Sequence, residues 1–335
     1  MRVASHLLVA SLLFTGCAAD DRDAAAPPRD DDLTEGGPGE RAKAGSASQA
    51  DDEKPAAAGD APASAPLDPS DPLLRFAPRL RLHPDDRNRP SSVDWYLSRV
   101  TLRFQHDNCP DHEVLGLGKV TQASLVAQRH PANKSLCRHD DAKIESSTAS
   151  EEFFLQAADS ATYAGAPRSE WRTYAARRML DSAKERIDYY AFYPYNDNFS
   201  NFNHEGDWEH VSVIYDPSVK DPMPIQVLFS FHGHETVIGA GDAKLEMDGT
   251  HPVSYVAKGT HANYPKPGDY PIDGTAGAAI DKAAAGGELW KTEENVVDVG
   301  TRAAPKNGQI FIGYWGKWGE IGELAFTTGP TRHFP

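Results

Sequence analysis

The chain has 335 residues, 39% hydrophobic and 25% charged, which suits one large or two ordinary globular domains and excludes a coiled coil or collagen-like repeat. Its formal net charge of -15 argues against nucleic acid as the main partner, because binding a phosphate backbone rests on clustered Lys and Arg. No apolar run reaches the roughly 18 to 20 residues that a helix needs to span a bilayer.

The N-terminus reads as an address. Met1-Arg2 is a minimal basic region, Leu7 to Phe14 a short apolar core, and Phe14-Thr15-Gly16-Cys17 ends in small residues before a Cys. This resembles a bacterial lipoprotein signal over residues 1–16, with Cys17 becoming the acylated first residue of the mature chain. The expected location is then the cell envelope, the outer membrane if the source is Gram-negative, with the membrane as partner through the anchor. The alternative is an ordinary secretory signal cut after Ala18 or Ala19 and a secreted protein. Residues 17–72 follow as an acidic tether. Within it, residues 18–72 hold 14 Asp and Glu against 5 Lys and Arg, with almost no large apolar side chain to offset the entropy of ordering.

The folded domain is expected over 73–335. Short runs rich in aromatic and β-branched residues predict strands at Leu97–Gln105, Ile187–Tyr193, Trp208–Tyr215, Ile225–Phe231, Val253–Ala257, Gln309–Trp315 and Glu323–Phe326. Their lengths and the turn residues between them predict an all-β sandwich. One or two peripheral helices are expected, because Trp171, Tyr174, Ala175, Met179 and Ala183 fall near one helical face. Ile280–Leu289 is ambiguous, since Gly286-Gly287 interrupts its Ala-rich run. Of the three cysteines, Cys109 and Cys137 remain once Cys17 is assigned to lipid. In an oxidising compartment they read as a disulfide; two zinc ligands are the competing reading, with His106, His112 and His139 nearby at irregular spacing.

The densest set of candidate ligands is Asn203-His204-Glu205-Gly206-Asp207-Trp208-Glu209-His210. In a strand beginning near Asp207, Asp207 and Glu209 share a face with Val211, Val213 and Tyr215. Two carboxylates roughly 6 to 7 Å apart at the rim of an apolar face are costly unless a cation or hydrogen-bond donors neutralise them. His204 can close the same site, and Gly206 allows a tight backbone path. The expectation is a divalent cation on His204, Asp207 and Glu209, with calcium, magnesium or manganese ahead of zinc; the alternative is a structural network without metal. His232 and His234, sharing a face if their strand continues, and His261 in Gly259-Thr260-His261-Ala262-Asn263-Tyr264 are further ligand-binding candidates at strand ends. Gly313-Tyr314-Trp315-Gly316-Lys317-Trp318-Gly319 reads as a core strand closed by a turn, or as an exposed platform for a sugar ring. No nucleophile elbow, Walker loop, dinucleotide fingerprint or zincin helix is present in the sequence.

Several blocks occur in a telling order: Phe76-Ala77-Pro78, Leu82-His83-Pro84, Pro90-Ser91-Ser92-Val93, Tyr193-Pro194-Tyr195-Asn196, His204 to Glu209, Gly259 to Tyr264 and Gly316-Lys317-Trp318-Gly319. Together they resemble the family named after vacuolar protein sorting-associated protein 62, whose name by itself implies no trafficking role here. A more distant likeness is to the necrosis- and ethylene-inducing peptide-like cytolysins. These carry Gly-His-Arg-His-Asp-Trp-Glu on a β-sandwich, with the first His, the Asp and the Glu around a divalent cation used in recognising sphingolipid headgroups. His204, Asp207, Trp208 and Glu209 match that pattern, while Asn203, Glu205 and Gly206 depart from it. Asp197 is the nearest counterpart of a further upstream Asp. The resemblance implies a cation site that binds a polar ligand, a glycan or lipid headgroup. A metal-dependent hydrolase with His232 or His261 as general base, and a structural envelope protein without a ligand, are the alternatives.

Overall fold

Strands dominate. In chain order they are β1 (Arg79–Arg81), β2 (Val100–Phe104), β3 (His112–Leu115), β4 (Phe153–Ala157), β5 (Thr173–Met179), β6 (Glu185–Asn196), β7 (His204–Tyr215) and β8 (Pro224–Phe231). They continue with β9 (His234–Gly239), β10 (Met247–Asp248), β11 (His251–Val256), β12 (Asn263–Tyr264), β13 (Gly268–Pro271), β14 (Ile280–Ala283), β15 (Leu289–Lys291) and β16 (Val296–Asp298). The computed structural model describes residues 67–105, 110–128, 153–197, 203–272, 279–320 and 334. Cys17, Cys109, Cys137, Glu323–Phe326 and the signal segment lie outside the described residues. No helix among the described residues is long and apolar enough to cross a membrane.

The architecture is an all-β sandwich built on a six-stranded sheet of order β16-β5-β6-β7-β8-β9. Neighbours in it are antiparallel except β16, which runs parallel to β5. Both faces of this sheet are covered. On one, Tyr174, Tyr190, Phe192 and Trp208 pack with Phe104 and Leu155 of the β3-β2-β4 sheet. On the other, Tyr189, Tyr193, Val211 and Val213 pack with Leu80 of β1 and Trp290 of β15, in the sheet that also holds β10, β11 and β12. Burial on two sides explains why β6 reads Ile-Asp-Tyr-Tyr-Ala-Phe-Tyr, a near-continuous apolar run and not an alternation. Each fully buried large apolar side chain of this kind contributes roughly 1.5 to 3 kcal/mol.

The same double burial corrects the expected helix at Trp171–Ala183. Thr173–Met179 is β5; Tyr174 and Ala176 enter one core and Ala175 the other, so apolar residues on consecutive positions imitate a helical face. The helices found are short and lie elsewhere. They are α1 (Pro72–Arg75), capped by the Asp71 carboxylate accepting from Leu73 N; α2 (Val93–Leu97), capped by Ser92 accepting from Trp95 N; and α3 (Gln122–Ala127), with a Thr121/Ser124 capping box. Leu97 therefore ends a helix, and the strand expected from it begins at Val100. The expected strand at Gln309–Trp315 is instead a 3-10 turn over Ile310–Gly313 that inserts Phe311 and Ile312 into the first core. Ile280–Leu289 resolves into β14 and the start of β15, separated by Gly286-Gly287. Ordered chain also reaches back into the stretch read as tether, where Leu67 packs against the second core.

Candidate functional site

The start of β7 is shaped by a close crossing of backbones. Gly206 has φ +69°, and a Cβ there would lie 2.1 Å from the Trp318 carbonyl oxygen; a Cβ on Gly319 would lie 2.2 Å from that of Glu205. Two glycines thus let Gly316-Lys317-Trp318-Gly319 lie directly on β7. Tyr314 and Trp318 are buried in the first core, so this aromatic block is core and not a sugar platform. Pairing runs Tyr193 opposite Asp207 and Tyr195 opposite Glu205. Glu205 is buried and accepts from Ala157 N (3.0 Å), the Tyr163 hydroxyl (2.8 Å) and Glu320 N (3.2 Å), a structural role.

From Asp207 onward the strand alternates as expected. Val211, Val213 and Tyr215 enter the second core, while Trp208 enters the first. Asp207 is buried and Glu209 half-buried at the end of that second-core face. Above Asp207 sits His261, on the turn between β11 and β12, with φ +55° and no exposed surface. Its ring stacks on Tyr193 with centroids 3.8 Å apart and an interplanar angle of 1°. His261 Nδ1 is 2.7 Å from Asp207 Oδ2, and Nε2 is 3.5 Å from Asp86 Oδ2. Asp86, in the loop after β1, is fixed by Asn88 N donating to Oδ1 and Gly259 N donating to Oδ2, each at 2.9 Å.

A second arm centres on Asp281 of β14, which is fully buried. It accepts from the Thr260 and Tyr264 hydroxyls, each at 2.7 Å, and lies 2.7 Å from His232 Nε2. His232 forms, with Gly233, the two-residue turn between β8 and β9, both at positive φ, as a type I′ hairpin loop requires. Burial works to lower the His232 pKa, but the hydrogen bond to Asp281 and the charges of Asp281 and Asp207 raise it overall. His234 does not join. It opens β9 opposite Phe231 and is exposed, because the hairpin turn ends the strand on which a shared face with His232 depended.

Glu209 feels both arms. Burial, then the charges of Asp207 and Asp281, push its carboxyl well above the usual range. Among the described residues no hydrogen bond reaches this carboxylate, and none of Asp86, Asp207, Glu209 and Asp281 pairs with Lys or Arg; their ion-pair neighbours are imidazoles. His204 Nε2 stands 3.9 Å from Asp207 Oδ1. Asp197 is exposed. Its N–H donates to the Gly259 carbonyl at 3.0 Å, and its carboxylate accepts from Asn203 at 3.3 Å. Asp197 borders an open cleft of about 520 Å³, lined also by Asp85, Asp86, Arg87, Asn88 and Lys258. Among the described residues no three His, Cys, Asp or Glu side chains converge closely enough to hold an ion by themselves. Any ion here would complete its shell with water or ligand oxygens.

Of the residues singled out in the sequence, the structure brings His204, Asp207, Glu209, His232 and His261 together, and adds Asp86 and Asp281, which the sequence reading did not name. Asp86 lies two residues after the Leu82-His83-Pro84 block; Asp281 sits in the ambiguous Ala-rich run and carries no local signal.

Among curated proteins none matches the chain in sequence. Solved structures similar to it include the non-toxic HaNLP3 protein, at 12% identity over 75% of this chain and 83% of that one, with a TM-score of 0.37. Necrosis and Ethylene inducing Protein 2 from the causal agent of cocoa's Witches Broom disease is similar at 13% identity over 75% and 81%, with a TM-score of 0.35. NLPPya in complex with glucosamine is similar at 12% identity over 75% and 82%, with a TM-score of 0.36. By sequence, residues 199–305 match the family of vacuolar protein sorting-associated protein 62, a stretch that contains His204, Asp207, Glu209, His232, His261 and Asp281.

Proposed function

We propose that this end of the sandwich takes up a divalent cation near His204, Asp207 and Glu209, with Asp197 on its outer side, the side chains drawing closer than they stand here once the ion is bound, and that the cation binds a polar ligand, a glycan or lipid headgroup. The observation that carries the reading is the charge imbalance. Among the described residues Asp86, Asp207 and Asp281 have only imidazoles as ion-pair partners, and Glu209, held against Asp207 and Asp281, has neither an ion-pair partner nor a donor. Like charges so placed are stable only when protonated or when a cation sits among them. The adjacent cleft, with both carboxylates and the cations Arg87 and Lys258 on its walls, suits a ligand rich in hydroxyl or phosphate oxygens. Elemental analysis of the purified protein, with calcium, magnesium, manganese and zinc titrations of its Tm, tests the reading. At a free cation concentration 100-fold above Kd the gain is about 2.7 kcal/mol. Absence of any bound or stabilising cation would leave a structural network in its place.

One pairing favours a hydrolytic reading as a second choice: the half-buried His232 imidazole on the buried Asp281 carboxylate is built like a general base and its orienting group. Cation-dependent turnover of a phosphoester or glycoside that is lost in His232→Gln would favour it over binding alone.

The proposal also places the folded unit at a membrane through Cys17. Cys17→Ser should release the protein from membranes, because acyl chains supply the apolar burial that retains it; unchanged retention with no lipid on Cys17 by mass spectrometry overturns this. A Cys109–Cys137 disulfide should add roughly 2 to 4 kcal/mol, read as the stability lost in Cys109→Ser/Cys137→Ser. Free thiols at both positions in the exported protein would refute it.

A further inference from the structure

We infer that Asp86 and His261 form a second cation seat, separate from the His204, Asp207 and Glu209 position, in which Asp207 orients the imidazole. At 2.7 Å from the Asp207 carboxylate, an acceptor, His261 Nδ1 is the ring's donor and Nε2 is left to ligate. This is the arrangement of metal-ligating histidines, whose other ring N–H is held by a carboxylate. Nε2 is fully buried and receives no hydrogen bond, although Asp86 Oδ2 lies only 3.5 Å away. Two acceptors facing each other out of water are unfavourable. A cation placed off the line between them removes the conflict. Nitrogen and oxygen ligands at zinc distances, subtending a tetrahedral angle, stand about 3.4 Å apart, close to the 3.5 Å between Nε2 and Asp86 Oδ2.

The seat is built before the ion arrives. Asn88 N and Gly259 N hold the Asp86 carboxylate, the Tyr193 stack holds the imidazole plane, and the positive-φ turn at His261 aims it. Asp86 also lines the open cleft, the side from which water or a ligand would fill the ion's other positions. One imidazole and one carboxylate in tetrahedral geometry favour zinc or cobalt over calcium. Glu209 takes no part in this seat.

Cobalt(II) titration of the full chain, followed by calorimetry and visible absorption, is the test. The wild type should bind two equivalents, one of them producing the intense visible band of tetrahedral cobalt. Glu209→Gln should lose one equivalent and keep the band. Asp86→Asn, folded by circular dichroism, should lose the band, weaken that equivalent at least tenfold and keep the other. In the zinc-saturated wild type, nitrogen NMR should show His261 Nε2 metallated; this measurement decides the matter should Asp86→Asn fail to fold. A proton on Nε2 in that sample, an imidazolium bridging Asp86 and Asp207, overturns the inference, as does a band that survives Asp86→Asn. A single equivalent lost in Glu209→Gln removes this seat and leaves the proposed function standing; no binding of any cation removes both.

Discussion

The two sides of β7 handle buried charge in opposite ways. On the side of Trp208, Arg186 of β6 reaches Asp188 Oδ1 and Glu235 Oε1, each at 2.5 Å, and Ser212 at 2.9 Å, while His210 Nε2 stands 3.3 Å from Glu235. One guanidinium fork donates to both carboxylates, with Arg178 beside Asp188 and His210 beside Glu235. The result is visible in the acid: His210 first, then Arg186, hold Glu235 at about 2, against a burial effect that works the other way. One residue before His210, on the other side, Glu209 faces Asp207 and Asp281 without a donor among the described residues, and its carboxyl is pushed up. A network that closes on itself explains a fold. A cluster of like charges that does not close is what the proposed cation would neutralise.

The largest expected effect is on the closed side. Arg186→Met leaves Asp188, with 3% of its side chain exposed, as a buried charge whose remaining partners among the described residues are the Ser212 hydroxyl at 2.5 Å and Arg178 at 3.5 Å. Breaking a buried pair from one side costs roughly 3 to 5 kcal/mol. Denaturant unfolding of Arg186→Met, with Arg186→Met/Asp188→Asn beside it, should show that loss and its partial recovery in the double variant. Equal losses in both would mean that packing, not charge, holds this region. The open side should respond with the opposite sign. Glu209→Gln removes one of the crowded charges, so the cation-free protein should gain stability. The same change should delete the stabilisation by calcium, about 2.7 kcal/mol at 100-fold Kd in the wild type, while zinc still acts through the Asp86 and His261 seat. A Glu209→Gln protein that is less stable without metal, or equally stabilised by calcium, contradicts the comparison.

Legibility followed the same divide. The face assignment of β7 was readable because period-two alternation survives from Asp207 to Tyr215, and the strand character of β6 because Tyr and Phe crowd it. The misreading of β5 as helix came from Tyr174 and Ala175, adjacent apolar residues that satisfy two cores in succession and so erase the period that separates strand from helix. The site was legible only where one element carries it. Asp207 and Glu209 announce themselves two residues apart; Asp86 and Asp281 come from a loop and a short strand far away in sequence, and only the register of β1 on β11 and the packing of β14 beneath Thr260 and Tyr264 bring them in. The His232 and His234 pair misled for the converse reason. Spacing of two implies one face only while the strand lasts, and a two-residue hairpin loop ends it between them.

The smallest expected effect is the pH dependence that Glu235 confers. Its folded pKa of about 2 lies below the ordinary value of 4.5, so the unfolded chain binds its proton first as the solution is acidified. The stabilisation is therefore fully present above about pH 4.5 and is lost as pH falls toward 2. Glu235 has a third of its side chain exposed, so solvent screening reduces the effect below what the shift alone implies. Glu235→Gln should consequently lower stability slightly at neutral pH and flatten the decline between pH 4.5 and pH 2, the window set by the two values. High salt should shrink the difference between variant and wild type, since the partners His210 and Arg186 act on a group in contact with water. Stability measured by chemical unfolding at several pH values reads this directly. Parallel curves for the two proteins across the acid limb would show that Glu235 titrates no differently in the folded chain than in the unfolded one, and that the side of β7 described as closed is not held by charge at its rim.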